Sequence, residues 1–274
     1  MLEKINLQLR PEEIAALNLR QLYGQYGYSF YRMSRFEEYD FYADKKDFLT
    51  TGKILTFTDI NGKLMALRPD VTLSIIKHIK EIPGQVQKFF YDEKIYRVPK
   101  NANNFRELSQ VGIEFIGALD SKNIHEIIDL AIKSLQILSN GRRYVLDIAD
   151  AGIIAKFITH NKRSIMKCIS GKNIHGLRDL NAPDEIIKLM TGENIPVELE
   201  KIKKFYPDII NIDFSAVSNL NYYNGIIFRG FIEGVPDSIL SGGQYDNLLH
   251  SMGYKYSQAM GFAVYLDSLE AVIN

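Results

Sequence analysis

The sequence predicts an α+β protein in which a mostly antiparallel sheet is flanked by helices and carries a helical insertion. Strand-like segments occur in hairpin pairs, helical segments occur in separate runs, and the range 151–205 is helical and rich in lysine. Hairpin-linked strands with separately grouped helices are typical of the α+β class. We therefore predict one core formed by 1–150 and 206–274, with 151–205 as an inserted helical unit.

The first predicted element is a helix that begins at Pro11, because proline favours the first helical turn. Its apolar side chains recur with helical spacing, and Gly27 is suited to the turn that ends it. An extended segment follows at 28–36.

Two hairpins and a helix are predicted next. The strands 54–58 and 63–67 flank Asn61-Gly62, which favours a tight turn. Pro69 is placed in the first turn of a helix that contains Leu73 and Ile76. The apolar segments 86–96 and 107–116 then form a long hairpin around a polar loop at 99–104.

The remaining elements follow from the same patterns. The range 123–138 has helical spacing, and 144–148 is strand-like. Strands are predicted again at 209–214, 226–231 and near 238–240. The segment from Gly261 is predicted to be a helix.

Composition excludes several classes of protein. The 274 residues contain 33 Lys plus Arg and 33 Asp plus Glu, so a net basic excess for nucleic acid is absent. Cys168 is the single cysteine, which excludes an internal disulfide and a multi-cysteine metal site. No segment reaches the roughly 18 apolar residues of a membrane span. We expect a cytoplasmic protein with no membrane association, no metal and no cofactor.

A group of polar residues near strand ends suggests a binding site. Gln110 and Glu114 lie four apart on a predicted strand, so both face one side of the sheet, and Gly112 leaves space between them. Asp70 precedes a helix and Arg97 ends a strand. Carboxylates suit an ammonium or an imidazole nitrogen, and an arginine suits a carboxylate, so the group fits a small zwitterion.

Each of these residues also has an ordinary structural interpretation. Asp70 can stabilise a helix N-terminus. Gln110 and Glu114 can lie on a solvated strand face, and Tyr222 and Tyr223 can belong to the core. The residues alone leave both interpretations open.

Several segments, in their order along the chain, resemble the catalytic core of histidyl-tRNA synthetase, a class II aminoacyl-tRNA synthetase. They are 67–72 (Leu-Arg-Pro-Asp-Val-Thr), 90–97, 105–117, 220–223 (Leu-Asn-Tyr-Tyr), 242–246 (Gly-Gly-Gln-Tyr-Asp) and 261–263 (Gly-Phe-Ala). The resemblance implies a class II synthetase-like fold and a histidine pocket. The residues that it places in the pocket are Asp70, Thr72, Arg97, Gln110, Glu114, Tyr222, Tyr223 and Tyr245.

The departures from this pattern concern activation chemistry. Ser218 stands where the family has an arginine for the substrate carboxylate, and Ser268 where it has an arginine for the triphosphate. Pro99 replaces a glutamate that contacts ATP, and Asp70 is one methylene shorter than the family glutamate. Two lost arginines, at ~3 kcal/mol each, remove many orders of magnitude in rate. We therefore expect no catalytic residues.

A histidine pocket without activation chemistry is similar to the regulatory subunits of ATP phosphoribosyltransferase. The resemblance implies a non-catalytic subunit that assembles with the short-form catalytic subunit, binds histidine and mediates feedback control of the first step of histidine biosynthesis. The chain ends soon after 261–263, where a synthetase continues into an anticodon-binding domain, so we expect no tRNA charging.

Two alternatives stay open at this stage. One is a synthetase-like ligase that activates histidine or another amino acid, which Arg97 and Arg106 favour. The other is an interaction module that binds uncharged tRNA. For assembly we predict a homodimer through the region that resembles class II motif 1, which comprises the helix from Pro11 and the segment 28–36, although Ser34 replaces a usual proline there.

Overall fold

The computed structural model describes residues 9–49, 53–98, 103–217 and 220–269. Within these residues, eight strands form the main sheet in the order β1-β5-β6-β11-β10-β9-β7-β8. The strands are β1 (Ser29–Phe30), β5 (Gln87–Arg97), β6 (Arg106–Gly117), β7 (Tyr144–Asp150), β8 (Ile210–Ile212), β9 (Ile226–Ile232), β10 (Leu240–Gln244) and β11 (Gln258–Tyr265). Only the edge pairs β1–β5 and β7–β8 of this described sheet are parallel. The predicted α+β fold with a mostly antiparallel sheet is confirmed.

A small antiparallel sheet lies beside the main one. It consists of β2 (Phe36–Glu38), β3 (Thr56–Thr58) and β4 (Leu64–Leu67). The turn between β3 and β4 contains Gly62 at φ +79°, a conformation that glycine adopts without strain. The chain then enters helix α3 (Val71–His78), which follows helix α2 (Tyr39–Ala43) in sequence.

Two helices cover one face of the main sheet. Helix α1 (Pro11–Gln25) and helix α4 (Ser121–Leu138) bury their apolar sides in one core with Val111, Ile113 and Phe115 of β6. The Tyr23 hydroxyl lies 2.9 Å from Ser134 Oγ, so the polar groups buried between the helices are hydrogen-bonded. Because side chains alternate along a strand, the residues between these three on β6 face the other side of the sheet.

The range 151–205 is fully described and contains five helices. They are α5 (Ala151–Phe157), α6 (Lys162–Ser170), α7 (Ile174–Asp179), α8 (Asp184–Met190) and α9 (Val197–Phe205). Their buried side chains, such as Ile154 and Ile186, join the same core as the sheet. The predicted helical content is observed, whereas the division into a core and an inserted unit stays a prediction.

Three local predictions need correction. The segment from Gly261 is not a helix, because Gln258–Tyr265 is the strand β11, with a short 3₁₀ turn after it. This strand lies between β6 and β10 and both of its faces are largely buried, so its apolar run lacks the alternation that reveals a strand. Helix α3 begins at Val71 with Asp70 as its cap, so Pro69 precedes the helix. The extended segment 28–36 contains only the short strand β1 and the start of β2.

Among the residues described, no helix has the length and apolar character needed to cross a membrane.

Candidate ligand-binding cavity

A cavity of about 610 Å³ lies on the face of the main sheet opposite α1 and α4. Its floor is formed by β6, β9, β10 and β11, and its walls by the start of α3 and the segment before β9. All eight residues of the predicted pocket line this cavity: Asp70, Thr72, Arg97, Gln110, Glu114, Tyr222, Tyr223 and Tyr245. Residues that are far apart in sequence are therefore brought together around one cavity.

Glu114 is the buried carboxylate of the cavity floor. It is 2% exposed and accepts a hydrogen bond from Thr72 Oγ1 at 2.6 Å and a second from the Tyr245 hydroxyl. Burial raises the pKa of Glu114 to about 8, although both hydroxyl donors lower it. An uncompensated negative charge is costly at this position, so Glu114 is suited to accept a ligand N–H or a cation.

Asp70 has two roles at the N-terminus of α3. Its Oδ1 accepts the Leu73 N–H at 2.9 Å and caps the helix, which agrees with the ordinary structural interpretation. Its carboxylate also borders the cavity, where desolvation raises its pKa and the charge of Arg97 lowers it. Asp70 is therefore both a helix cap and an acidic group of the cavity.

Glycines on the floor provide room for larger side chains. Gly112 was predicted to leave space for a ligand, but Tyr91, its partner on β5, occupies that space. A Cβ at Gly112 would lie 2.5 Å from the Tyr91 hydroxyl oxygen. The glycine therefore shapes the cavity by admitting Tyr91.

Three tyrosines form an aromatic wall. The ring centroids of Tyr222 and Tyr223 are 4.7 Å apart, and those of Tyr222 and Tyr245 are 5.9 Å apart. Burial raises the pKa of Tyr222 and Tyr245 well above the usual range, so both phenols are neutral at physiological pH. Such a wall offers apolar ring surface to a ligand together with hydroxyl groups for hydrogen bonding.

The cavity also has lining residues that the sequence did not predict, among them Tyr91, Arg229, Ser241 and Tyr265. Arg229 did carry a signal, because it is a charged residue inside the otherwise apolar strand β9. Ser241 and Tyr265 carried none, since their side chains meet only through strand pairing.

Other residues of the resemblance lie outside the cavity. Arg106 is exposed, and Ser268 lies in the turn after β11; neither lines the cavity. Arg68 is completely buried and donates to Ser34 O at 2.7 Å and to Glu93 Oε2 at 2.7 Å, so its role is structural. Pro99 and Ser218 lie outside the described residues.

Metal binding has no support in the described part of the chain, where no three His, Cys, Asp or Glu side chains converge as metal ligands. The arrangement instead combines buried acceptors, an aromatic wall and arginines. These groups are suited to binding a small zwitterion with both charged and aromatic character.

The fold and the cavity define a histidyl-tRNA-synthetase-like protein, and the family model described as histidyl-tRNA synthetase matches residues 8–192 and 188–269. A protein from Clostridium botulinum (strain 657 / Type Ba4), named ATP phosphoribosyltransferase regulatory subunit, is 30% identical over 98% of this chain and 73% of its own length. A protein of the same name from Clostridium acetobutylicum is 29% identical over 93% of this chain and 73% of its own length. The chain belongs to the family of ATP phosphoribosyltransferase regulatory subunits.

Solved structures agree with this fold. A Bacillus halodurans protein, described as an ATP phosphoribosyltransferase regulatory subunit/histidyl-tRNA synthetase, matches with a TM-score of 0.77 and 20% identity over 96% of this chain and 79% of its own. A chain of the ATP phosphoribosyl transferase complex from Thermotoga maritima matches with a TM-score of 0.73 and 15% identity, over 94% of this chain and 97% of that one.

Proposed function

We propose that this protein is a non-catalytic regulatory subunit that binds free histidine in the cavity and controls an ATP phosphoribosyltransferase catalytic subunit. The main observation behind the proposal is the buried carboxylate of Glu114 on the cavity floor. This buried carboxylate accepts hydrogen bonds from Thr72 and Tyr245 on the floor of the cavity. Every other residue of the predicted histidine pocket lines the same cavity.

The chemistry of the cavity matches histidine. Glu114 and Asp70 can accept hydrogen bonds from the imidazole and ammonium groups, and the tyrosine wall can pack against the ring. Arginine in the cavity supplies positive charge for the carboxylate. A site that hydrogen-bonds both ends of a ligand discriminates strongly against analogues that lack one of these groups.

Feedback control follows from linkage. If histidine binds the inhibited state of the complex more tightly than the active state, it shifts the complex toward the inhibited state. By the same coupling, that state binds the substrates of the catalytic subunit less well. The partner that we propose is the short-form catalytic subunit, and the relatives' shared name supports an ATP phosphoribosyltransferase as the partner enzyme.

Homodimerisation is a further part of the proposal. We expect two copies to pair through α1 and the segment 28–36, with cytoplasmic localisation. Leu17 on α1 is 47% exposed, which leaves apolar surface available on this helix.

Calorimetric titration with histidine and, separately, with ATP tests the proposal. The wild type is expected to bind histidine, Glu114→Ala is expected to lose this binding, and ATP is expected to bind weakly or not at all. Glu107→Ala is the matched control, because Glu107 lies on the same strand but is exposed and borders no part of the cavity. Histidine binding that is indifferent to Glu114→Ala would refute the site.

Two further measurements separate the alternatives. Robust ATP–pyrophosphate exchange in the presence of histidine would support a ligase, for which Arg97 in the cavity is the favouring observation. Salt-dependent tRNA binding without the catalytic subunit would support a tRNA-binding module. Co-purification with a short-form catalytic subunit, and histidine-dependent inhibition of the reconstituted complex, are the results expected for a regulatory subunit.

A further inference from the structure

Arg229 is a cationic residue of the cavity whose role the sequence did not predict. It lies on β9, is half-buried, and lines the same cavity as Glu114. The rest of its strand is apolar apart from glycine, so the sheet carries one cation at this point of the floor. A charged side chain at such a position is stabilised by a group of opposite charge, since solvent cannot fully surround it.

The strand register places Arg229 across the floor from Glu114. Arg229 pairs with Ser241, Ser241 with Ala263, and Ala263 with Gly112, which is two residues from Glu114 on the same face. Three strand spacings and two residues correspond to about 14 Å across the sheet and about 7 Å along it. A separation of this size, less the lengths of the two side chains, leaves room for one small amino acid between them.

The surroundings of Arg229 leave its guanidinium available to a ligand. No hydrogen bond or ion pair joins it to another residue in the described part of the chain. Its cross-strand neighbour Asp147 accepts a hydrogen bond from Asn211 Nδ2 at 3.0 Å instead. On the neighbouring strand β10, Ser241 forms a hydrogen bond with the Tyr265 hydroxyl, and the two hydroxyls add polar groups to the same part of the floor.

The second arginine of the cavity is placed differently. Arg97 lies at the end of β5, close enough to Asp70 for its charge to lower the pKa of that carboxyl. Arg97 therefore already compensates an acidic group. Arg229 also has an acidic neighbour, since its charge lowers the pKa of Asp147 on β7, but the two form no ion pair. The Arg229 side chain lines the cavity, where its charge also acts on Tyr223.

We propose that Arg229 binds the carboxylate of the amino acid in the cavity, while Glu114 binds the imidazole at the opposite end of the ligand. This inference rests on the proposed histidine binding and extends it by giving the ligand a direction. A planar guanidinium can bind a carboxylate through two parallel hydrogen bonds, which fixes orientation as well as affinity. Arg229 is thus a specificity residue that selects amino acids over amines and amino alcohols.

Titration with two ligands tests the proposal. L-histidine and L-histidinol, in which a hydroxymethyl group replaces the carboxylate, are titrated into the full chain and into Arg229→Met. The wild type is expected to prefer histidine on the order of 10- to 100-fold, which is the worth of a charged hydrogen-bonded contact. In Arg229→Met this preference is expected to fall below about 3-fold, with histidinol affinity nearly unchanged.

Arg97→Met is the matched control, because it removes the other cavity arginine and is expected to keep most of the preference. Arg229→Gln provides a second variant if Arg229→Met does not fold, with the same loss of preference expected. If histidine binds and its preference survives in the Arg229 variants, or is lost only in Arg97→Met, the inference is overturned while the proposed function stands. If the wild type binds neither ligand, both are overturned.

Discussion

Gly261 lies directly opposite Glu114 in the main sheet, and a Cβ at Gly261 would come within 2.1 Å of Glu114 Oε2. The missing side chain on β11 is what allows a buried carboxylate to lie across the neighbouring strand. The backbone of Ile113 is also close, with its carbonyl oxygen 2.4 Å from the same Cβ position. The floor of the cavity therefore depends on a glycine that makes no ligand contact through a side chain.

Gly261→Ala is expected to destabilise the protein by about 1–3 kcal/mol, because the added methyl group overpacks the sheet against a backbone atom that cannot easily move. It is also expected to weaken histidine binding at least tenfold by displacing Glu114. Urea unfolding and calorimetry measure the two effects. Gly24→Ala is the control: Gly24 is an exposed helical glycine with open space around it, so this change is expected to be neutral or slightly stabilising.

The pKa of Glu114 predicts a pH dependence of stability. Burial raises the pKa to about 8 in the folded protein, above its value in the unfolded chain, so the folded state holds this proton more tightly. The stabilisation is complete below the unfolded pKa of about 4.3 and is lost as the pH rises through the folded value.

Glu114→Gln removes this titration. Between pH 5 and pH 9 the stability of the variant, relative to wild type, is expected to increase by roughly 4 kcal/mol. Thermal or urea unfolding across this range, without ligand, measures the difference. A constant difference would show that Glu114 titrates normally.

The two roles of Asp70 can be separated by substitution. Asp70→Asn keeps a good helix cap but removes the charge, so stability is expected to change little while histidine affinity falls. Asp70→Ala is expected to lose about 1 kcal/mol as well, because Leu73 N–H loses its acceptor. Asp120 caps α4 far from the cavity, and Asp120→Ala should lose similar stability without affecting histidine affinity. Equal affinity in Asp70→Asn and wild type would limit Asp70 to capping.

Arg68 is expected to be a structural residue. Arg68→Met leaves Glu93 and two backbone carbonyls without their donor in a buried site, which is expected to cost about 3–5 kcal/mol. Arg143→Met breaks the exposed pair with Glu233 and is expected to cost far less stability than Arg68→Met, because solvent screens that pair. Denaturant unfolding of both variants measures the contrast. Comparable losses would mean that burial does not strengthen the Arg68 network.

Most elements were predictable because local patterns reveal them. Amphipathic spacing revealed α1 and α4, and the Asn61-Gly62 turn revealed the β3–β4 hairpin. β11 was missed because a strand covered on both faces shows no alternation. Arg229 was visible as a charge in an apolar strand, but its position relative to Glu114 depends on pairing across three intervening steps of the sheet.

The sequence by itself determined the class of fold, the family resemblance and eight of the residues that line the cavity, because short motifs in a fixed order carry that information locally. Only the tertiary structure decided that Tyr91 fills the space at Gly112, that Gly261 admits Glu114, and that Arg229 faces the same cavity. The reason is physical. Burial, pKa and cross-strand distance arise from segments that are far apart in the chain and meet only when the sheet forms.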